Sequence, residues 1–274
     1  MTLPPKPNIN TEESFERLAR APIVEAALAV TARAEAAFDE SAVIAQLKLK
    51  LPDYPAVYSG RLIQHSLKET EAGPSVHIQR DLGWNALRLQ SQDGRQIALF
   101  GRNGFSFSRL EPYETWEKFR SEALRLWQLH VELFRPTFVE RLGLRYIDRI
   151  PIDELPIDLD EILNAAPKTP RGLELAVDSF LHQDNLCVPH SPYFISIIQT
   201  AQQVAGPTGP EPGLFLDIDV AVATQFELKE GVLEHYLAEM RWLKNKAFFG
   251  SLTPQTLTKL RVPKNETSGT SLAS

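Results

Sequence analysis

Two Asx-Gly dipeptides constrain the fold of this chain more than any other feature of its sequence. Asp93–Gly94 and Asn103–Gly104 each stand between short segments with strand character. Those segments are 85–90, 96–100 and 105–110. Asx-Gly pairs supply the positive φ angles that a two-residue hairpin turn requires. The sequence therefore predicts an antiparallel meander over this region.

Helical periodicity marks two long segments outside the meander. Apolar side chains recur every three or four residues from Trp116 to Phe134, and the same spacing recurs over 230–248. A shorter helix is predicted at 41–51, and Thr253–Pro254 has the residue types of a helix N-cap followed by a first-turn proline. The chain is therefore predicted to contain two long amphipathic helices and at least two short ones.

Further strands are predicted between these helices. They are 23–30, 138–150, 173–180, 193–200 and 213–226. Hairpin connections outnumber crossovers in this order of elements. The predicted fold class is therefore α+β, with a largely antiparallel sheet and both long helices packed on one face of it.

The predicted domain organisation is simple. Residues 1–14 and 263–274 are rich in proline or small polar residues, so a flexible N-terminal arm and a disordered tail are expected. Residues 15–262 are predicted to form a single α+β domain. The order of elements also suggests two meander-plus-helix halves, 15–152 and 153–262.

Composition limits the classes of function. The one cysteine, Cys187, allows no intramolecular disulfide, which is typical of a reducing compartment, and the predicted location is cytoplasmic. No segment contains the roughly 18 apolar residues that a membrane span needs, so no membrane partner is expected. The formal charge of −6 disfavours nucleic acid as a partner.

The segment 140–150 contains a row of three arginines. Strand alternation places Arg141, Arg145 and Arg149 on one face, and Asp148 on the other face with the apolar side chains. Guanidinium groups bind carboxylates and phosphates through paired donors. The row is therefore predicted either to bind an anionic ligand or protein partner, or to pair with carboxylates of neighbouring strands.

Two acids lie close together in the predicted strand 213–226. Asp217 and Asp219 share one face at a spacing of about 6.6 Å. Such a pair could hold a magnesium ion, act as acid and base, or neutralise the arginines of segment 140–150. All three interpretations remain open at this stage.

Other chemically active residues have simpler interpretations. Four residues of types that bind zinc lie close together in the sequence: His182, Asp184, Cys187 and His190. Their spacing matches no metal motif, and Asn185 and Pro189 predict a plain turn. His130 lies on the apolar stripe of the predicted helix 116–134, so it is predicted to be a core histidine with a satisfied hydrogen bond. No metal site or cofactor is predicted.

Several stretches taken in order resemble a sporadically distributed family of uncharacterised, hypothetical prokaryotic proteins. They are APIVE (21–25), FSRLEPYETWEKF (107–119), RLGLRYIDRI (141–150), LDID (216–219) and LKNKAFFGSLT (243–253). The resemblance spans roughly residues 20–262. It implies no established activity, cofactor or catalytic residue. A patchy distribution is in keeping with an accessory, defence or toxin–antitoxin component.

The leading functional prediction is a non-catalytic binding or assembly component. A protein partner or an anionic ligand is expected at Arg141, Arg145 and Arg149, and a homo-oligomer is compatible with the sequence. The first alternative is a metal-dependent hydrolase or phosphoryl-transfer enzyme that uses Asp217 and Asp219. The second alternative is a nucleic-acid-binding protein that uses the same arginines.

Overall fold

The protein is α+β, and its described residues form a nine-stranded antiparallel sheet, a two-stranded ribbon and five helices. A computed structural model describes residues 7–33, 39–70, 73–152, 158–170, 172, 177, 179–206 and 209–262. The strands are β1 (Ile23–Thr31), β2 (Ala56–Thr70), β3 (Gly73–Gln90), β4 (Gln96–Gly101), β5 (Gly104–Leu110), β6 (Phe138–Val139), β7 (Arg141–Ile150), β8 (Phe180–Cys187), β9 (Tyr193–Gly206), β10 (Gly209–Val222) and β11 (Phe226–Glu227). The helices are α1 (Glu40–Lys50), α2 (Trp116–Phe134), α3 (Leu159–Ile162), α4 (Val232–Ser251) and α5 (Pro254–Arg261).

The large sheet joins two meanders through two central strands. Its order is β2-β3-β4-β5-β1-β7-β10-β9-β8, and each neighbouring pair is antiparallel. Strands β1 and β7 therefore connect a meander formed early in the chain with one formed late. The remaining strands, β6 and β11, pair with each other in the separate ribbon.

Both predicted hairpins are confirmed, but neither Asx-Gly pair forms the two-residue turn that was predicted. Residues 91–95 join β3 to β4, and Arg102 and Asn103 join β4 to β5. β3 pairs with β4 and β4 with β5, and Gly94 and Gly104 have φ angles of 72° and 151°. The alternating side of β5 that carries Phe105 and Phe107 is buried. The meander therefore contributes one apolar face to the core.

Gly104 is the turn residue with the least space for a side chain. A Cβ atom built there would lie 2.1 Å from the Val30 carbonyl oxygen of the neighbouring strand β1. We therefore expect Gly104→Ala to lower the free energy of unfolding by roughly 1–3 kcal/mol, because the backbone must shift as well as leave a favoured glycine conformation. Urea denaturation would measure this loss. Gly172→Ala is the control, since its φ is also positive (78°) but its Cβ would meet no atom within 4 Å.

Local sequence explains the helix boundaries. The Thr115 side chain accepts a hydrogen bond from the Lys118 backbone N–H at 3.2 Å, and α2 ends where Arg135 adopts the left-handed conformation. Thr253 caps α5 in the same manner, with Pro254 as the first helical residue. In α2 and α4 the apolar residues that recur every three or four positions are the buried ones.

Some predicted elements differ in the structure or fall outside the described residues. The predicted strand 138–150 is two strands, because the chain leaves the β6–β11 ribbon at Glu140 before it enters β7 in the large sheet. Most of the predicted strand 173–180 lies outside the described residues, as do residues 1–6 of the arm and the whole tail 263–274. No helix in the described ranges is both long and apolar enough to cross a membrane.

The described end of the predicted arm contacts the folded chain. A Glu13 carboxylate oxygen accepts a hydrogen bond from the Trp242 indole N–H at 2.6 Å, and its other oxygen accepts one from the Lys246 ammonium group at 2.6 Å. The rings of Phe15 and Phe249 stack with centroids 5.7 Å apart. These contacts place the chain that precedes β1 against α4.

Candidate functional site

The arginine row and the acid pair meet on adjacent central strands. β7 and β10 pair in a register that brings Arg145 and Asp217 close on one face of the sheet. Arg145 donates to both carboxylate oxygens of Asp217, at 2.8 and 2.5 Å. Arg141 donates to Asp219 at 2.7 Å. The structure thus contains the ion pairs that the sequence left as one alternative.

These ion pairs reduce the positive charge that the arginine row presents to a partner. Arg141 and Arg145 keep 40% and 50% of their side-chain surface exposed, but each already shares its charge with a carboxylate. Arg149 is exposed and lies opposite Phe215 rather than opposite an acid. Recognition of a partner by these arginines stays a prediction, and it would have to use partly neutralised groups.

The carboxylates of Asp217 and Asp219 are poorly placed to bind a metal ion. Both carboxylate oxygens of Asp217 accept hydrogen bonds from Arg145, and Asp219 accepts one from Arg141. Within the described ranges, no group of three or more His, Cys, Asp or Glu side chains is placed to hold a metal. A bare pair of carboxylates that is already neutralised by arginine has weak affinity for a divalent cation.

The turn that Asn185 and Pro189 predicted begins only after Cys187. His182, Asp184 and Cys187 lie in β8, which is the last strand of the sheet, and only His190 is in the turn to β9. The strand is hard to recognise because five consecutive residues of it are exposed, so apolar and polar residues do not alternate. Alternation puts His182 and Asp184 on one face and Cys187 on the other.

The described chain contains a cavity of about 520 Å³ that the sequence did not predict. It lies among β7, the start of α2, the C-terminal half of α4 and the chain that precedes β1. Its wall contains charged, aromatic and aliphatic side chains. The ones that matter for its chemistry are Asp148, Lys244, Arg241, Tyr113, Tyr146 and Trp116.

Asp148 is a wholly buried acid in the wall of this cavity. Its exposed fraction is 0%, and neither carboxyl oxygen has a hydrogen-bond partner in the described part of the chain. Burial raises the pKa of Asp148 well above its ordinary value, which the positive charge of Lys244 partly offsets. Buried polar atoms without partners are rare in folded proteins, because each costs free energy. Both oxygens therefore lack a hydrogen-bond partner within the described protein, and each exposes less than 1 Å² of surface.

Lys244 contributes a second charged group, and it forms no ion pair with Asp148. Its ammonium nitrogen lies 4.1 Å above the centroid of the Tyr146 ring, and no salt bridge joins it to Asp148, although both are described. Burial lowers the pKa of Lys244, while the nearby Asp148 opposes this decrease. The cavity thus contains hydrogen-bond donors on Lys244 and acceptors on Asp148 that do not satisfy each other.

Two tyrosines extend the polar part of the cavity wall. The hydroxyl oxygens of Tyr113 and Tyr146 are 3.0 Å apart, and their rings meet edge to face with centroids separated by 5.7 Å. Burial raises the pKa of Tyr113 to about 12, and it raises the pKa of Tyr146 as well. Both hydroxyls are therefore neutral near pH 7, and one of the two protons is free to be donated elsewhere.

Two charged groups beside the cavity have partners of opposite charge. Arg241 lies over the Trp116 ring at 5.4 Å and 3.9 Å from Glu117. Glu16 accepts two hydrogen bonds from Arg261, at 2.7 and 2.5 Å. Asp148 differs from them, because neither of its carboxyl oxygens has a hydrogen-bond partner in the described part of the chain.

Sequence reasoning placed Asp148 on the apolar face of its strand but drew no conclusion from it. An acid among Leu144, Tyr146 and Ile150 must be buried once that face forms the core, and this was the available signal. Lys244 gave a similar signal, because it follows Met240 at helical spacing on the apolar side of α4. Their proximity in space could not be predicted from either pattern.

Comparison with other proteins adds no assignment. No protein-family model matches this chain, and no curated protein matches it significantly. The cavity is therefore the feature of the molecule that bears most directly on function.

Proposed function

We propose that this protein binds a small polar molecule in the cavity, with Asp148 accepting its hydrogen bonds and Lys244 donating to it. The observation that carries the proposal is the carboxyl group of Asp148, which is 0% exposed, lacks a hydrogen-bond partner in the described chain and lines a cavity of about 520 Å³. Cavities of roughly 300–1,000 Å³ with a few convergent polar groups are typical of small-molecule sites. A bound ligand would supply the missing partners.

The charge of the cavity wall supports a neutral or zwitterionic ligand. The acids in the wall are Glu16, Glu114, Glu117 and Asp148, and the cations are Arg17, Arg241 and Lys244. No excess of positive charge is present to compensate a polyanion such as a nucleoside triphosphate. A molecule that carries a donor and an acceptor near each other, such as a free amino acid or a nucleobase, matches Asp148 and Lys244 together.

The arrangement of the two longest helices is part of the same proposal. We place α2 and α4 on one face of the sheet, where the start of α2 and the C-terminal half of α4 enclose the cavity. In support, Tyr146 of β7 contacts both Tyr113, just before α2, and Lys244 of α4. A binding protein of this kind agrees with the predicted non-catalytic, cytoplasmic accessory component and with the resemblance described above.

Thermal-shift measurements with a defined panel test the proposal. The panel comprises the free amino acids, the nucleobases and, as a polyanionic control, nucleoside triphosphates, each at millimolar concentration. We expect at least one neutral or zwitterionic compound to raise the Tm of the wild-type chain. Saturation at about one hundred times the Kd corresponds to roughly 2.7 kcal/mol of stabilisation.

The variants Asp148→Asn and Lys244→Met locate the binding site. We expect each to reduce or abolish the shift, because Asp148→Asn replaces one acceptor oxygen with an amide donor and Lys244→Met removes the ammonium donor. Asp217→Asn is the matched control, since it removes a carboxylate that lies on the neighbouring strand and pairs with Arg145. An unchanged shift in Asp148→Asn, or a panel in which only the triphosphates bind, would contradict the proposal.

A second candidate function is acid–base catalysis at the same cavity. The pKa of Asp148 is raised and that of Lys244 is lowered, so both move toward neutral pH in one enclosed site. This is the arrangement in which a carboxyl group and an amine exchange protons with a substrate. A carbon-detected NMR titration of Asp148 tests it, and a carboxyl pKa at the ordinary value would remove the basis for this candidate.

A further inference from the structure

Strand β8 forms one end of the nine-stranded sheet, and it is unusually exposed. Among the described strands it pairs with β9, and its residues from Gln183 to Cys187 are all exposed. Several large hydrophobic side chains at this end are open to solvent. They are Leu181 (72%), Leu186 (47%) and Phe194 (47%). An end strand with this surface is suited to pairing with another strand.

The sequence of β8 lacks two of the features that usually block such pairing. Phe180–Cys187 reads FLHQDNLC, which has no proline and no lysine, and Asp184 is its one acidic or basic side chain apart from His182. Natural edge strands commonly carry lysine or proline to prevent association. The edge of β8 is therefore only weakly protected against pairing.

We propose that β8 pairs in antiparallel orientation with β8 of a second copy of this chain and makes one continuous sheet across a two-fold axis. Such an axis is perpendicular to the sheet, so residues that face each other lie on the same side of it. The two-fold axis must therefore pass beside one residue of β8, which then faces the same residue of the partner. Centring on Gln183 places Phe180 opposite Leu186 of the partner and His182 opposite Asp184 of the partner.

This register is favoured over its neighbour by charge. Centring on Asp184 instead would place the two Asp184 carboxylates directly opposite each other, and like charges in that position destabilise a strand pair. It would also place His182 opposite Leu186. With Gln183 at the centre, an apolar pair and a complementary polar pair form on one side, and two amides meet at the axis.

The interface is independent of the cavity, since no residue of β8 lines it. Because a single strand pair is small compared with a standard protein interface, the expected dimer is weak, with a Kd on the order of micromolar. Analytical ultracentrifugation of the full chain should show a monomer–dimer equilibrium over that concentration range. A chain that remains monomeric at submillimolar concentration would overturn the proposal.

Cysteine cross-linking tests the register. In a Cys187→Ser background, we expect Gln183→Cys to form a disulfide-linked dimer under mild oxidation, because the two positions 183 face each other at the axis. Asn185→Cys in the same background is the matched control. It lies on the same side of the same strand, but it faces position 181 of the partner, which is four residues away from the partner's position 185. Equal cross-linking of both variants, or cross-linking of Asn185→Cys alone, would refute the register.

Charge exchange tests the same register without a cysteine. Asp184→Lys should weaken the dimer at least tenfold, because it removes the carboxylate that faces His182 of the partner. It also removes the carboxylate that lies 3.5 Å from His182 of its own chain. The double variant His182→Asp/Asp184→Lys restores opposite charges across the axis and should recover dimerisation. Failure of the double variant to recover it, while the single variant is monomeric and folded, would contradict the assigned pairing.

Discussion

A chain in which Asp148 is replaced by leucine and Lys244 by methionine should unfold with a free energy about 1–4 kcal/mol higher than that of the wild type. The reason is that Asp148 is wholly and Lys244 partly removed from water on folding, and the two gain no direct salt bridge in return. Apolar side chains of similar size would keep the packing without this desolvation cost. Urea denaturation at pH 7 would measure the difference, and the same variant should bind none of the ligands in the panel.

The matched control removes one positive and one negative charge from an ion pair between β7 and β10. Arg145→Gln with Asp217→Asn removes one positive and one negative charge, but Arg145 is half exposed. Exposed ion pairs contribute about 0–1 kcal/mol, so this variant should be slightly less stable than the wild type or equal to it. If the Asp148/Lys244 double variant were instead less stable than the wild type, these two residues would have a structural role that outweighs their desolvation.

The wild-type chain should also lose stability in acid because of His130. Its ring stacks on Phe134 and Trp127, with centroids at 4.4 and 5.1 Å, and its Nε2 atom lies 3.1 Å from the Gly101 carbonyl oxygen. Burial lowers the pKa of His130 from 6.5 to about 4. His130 is therefore protonated below about pH 6.5 in the unfolded chain but only below about pH 4 in the folded chain. Stability falls as the pH decreases through this window, by roughly 3 kcal/mol in total.

A variant without a titratable group at this position isolates the effect. His130→Gln keeps an N–H donor for the Gly101 carbonyl oxygen but cannot take up a proton in this range. We expect the free energy of unfolding of the wild type, minus that of His130→Gln, to decrease between pH 7 and pH 4. Urea denaturation at a series of pH values gives this difference. A difference that is constant with pH would show that His130 is charged in the folded chain or open to solvent.

The sign of the His130 effect is opposite to that of Asp148. The folded-state pKa of Asp148 is raised, so its contribution favours the folded chain at low pH and is lost as the pH increases through the raised value. The two residues therefore partly compensate each other in the wild type. For this reason each must be measured against its own variant rather than from the overall acid denaturation curve.

The elements with a clear local pattern could be predicted from the sequence. The turns at Gly94 and Gly104 are determined by backbone sterics, and the periods of α2 and α4 are determined by which side chains must leave water. His130 on the stripe of α2 was predicted to be a satisfied core histidine. It is buried and its Nε2 atom contacts the Gly101 carbonyl oxygen, but its Nδ1 atom has no hydrogen-bond partner among the described residues. Strand β8 was missed because an exposed strand has no apolar alternation to reveal it.

By itself the sequence determined the α+β class, the meander, the helix positions and the burial of the face that carries Asp148, because these follow from interactions within a few residues. Only the tertiary structure decided that Arg145 pairs with Asp217 and that Asp148 and Lys244 share one cavity. Asp148 and Lys244 lie on elements that are distant in the chain. Their proximity depends on the order of strands in the sheet and on how α4 packs over β7, and no local pattern contains that information.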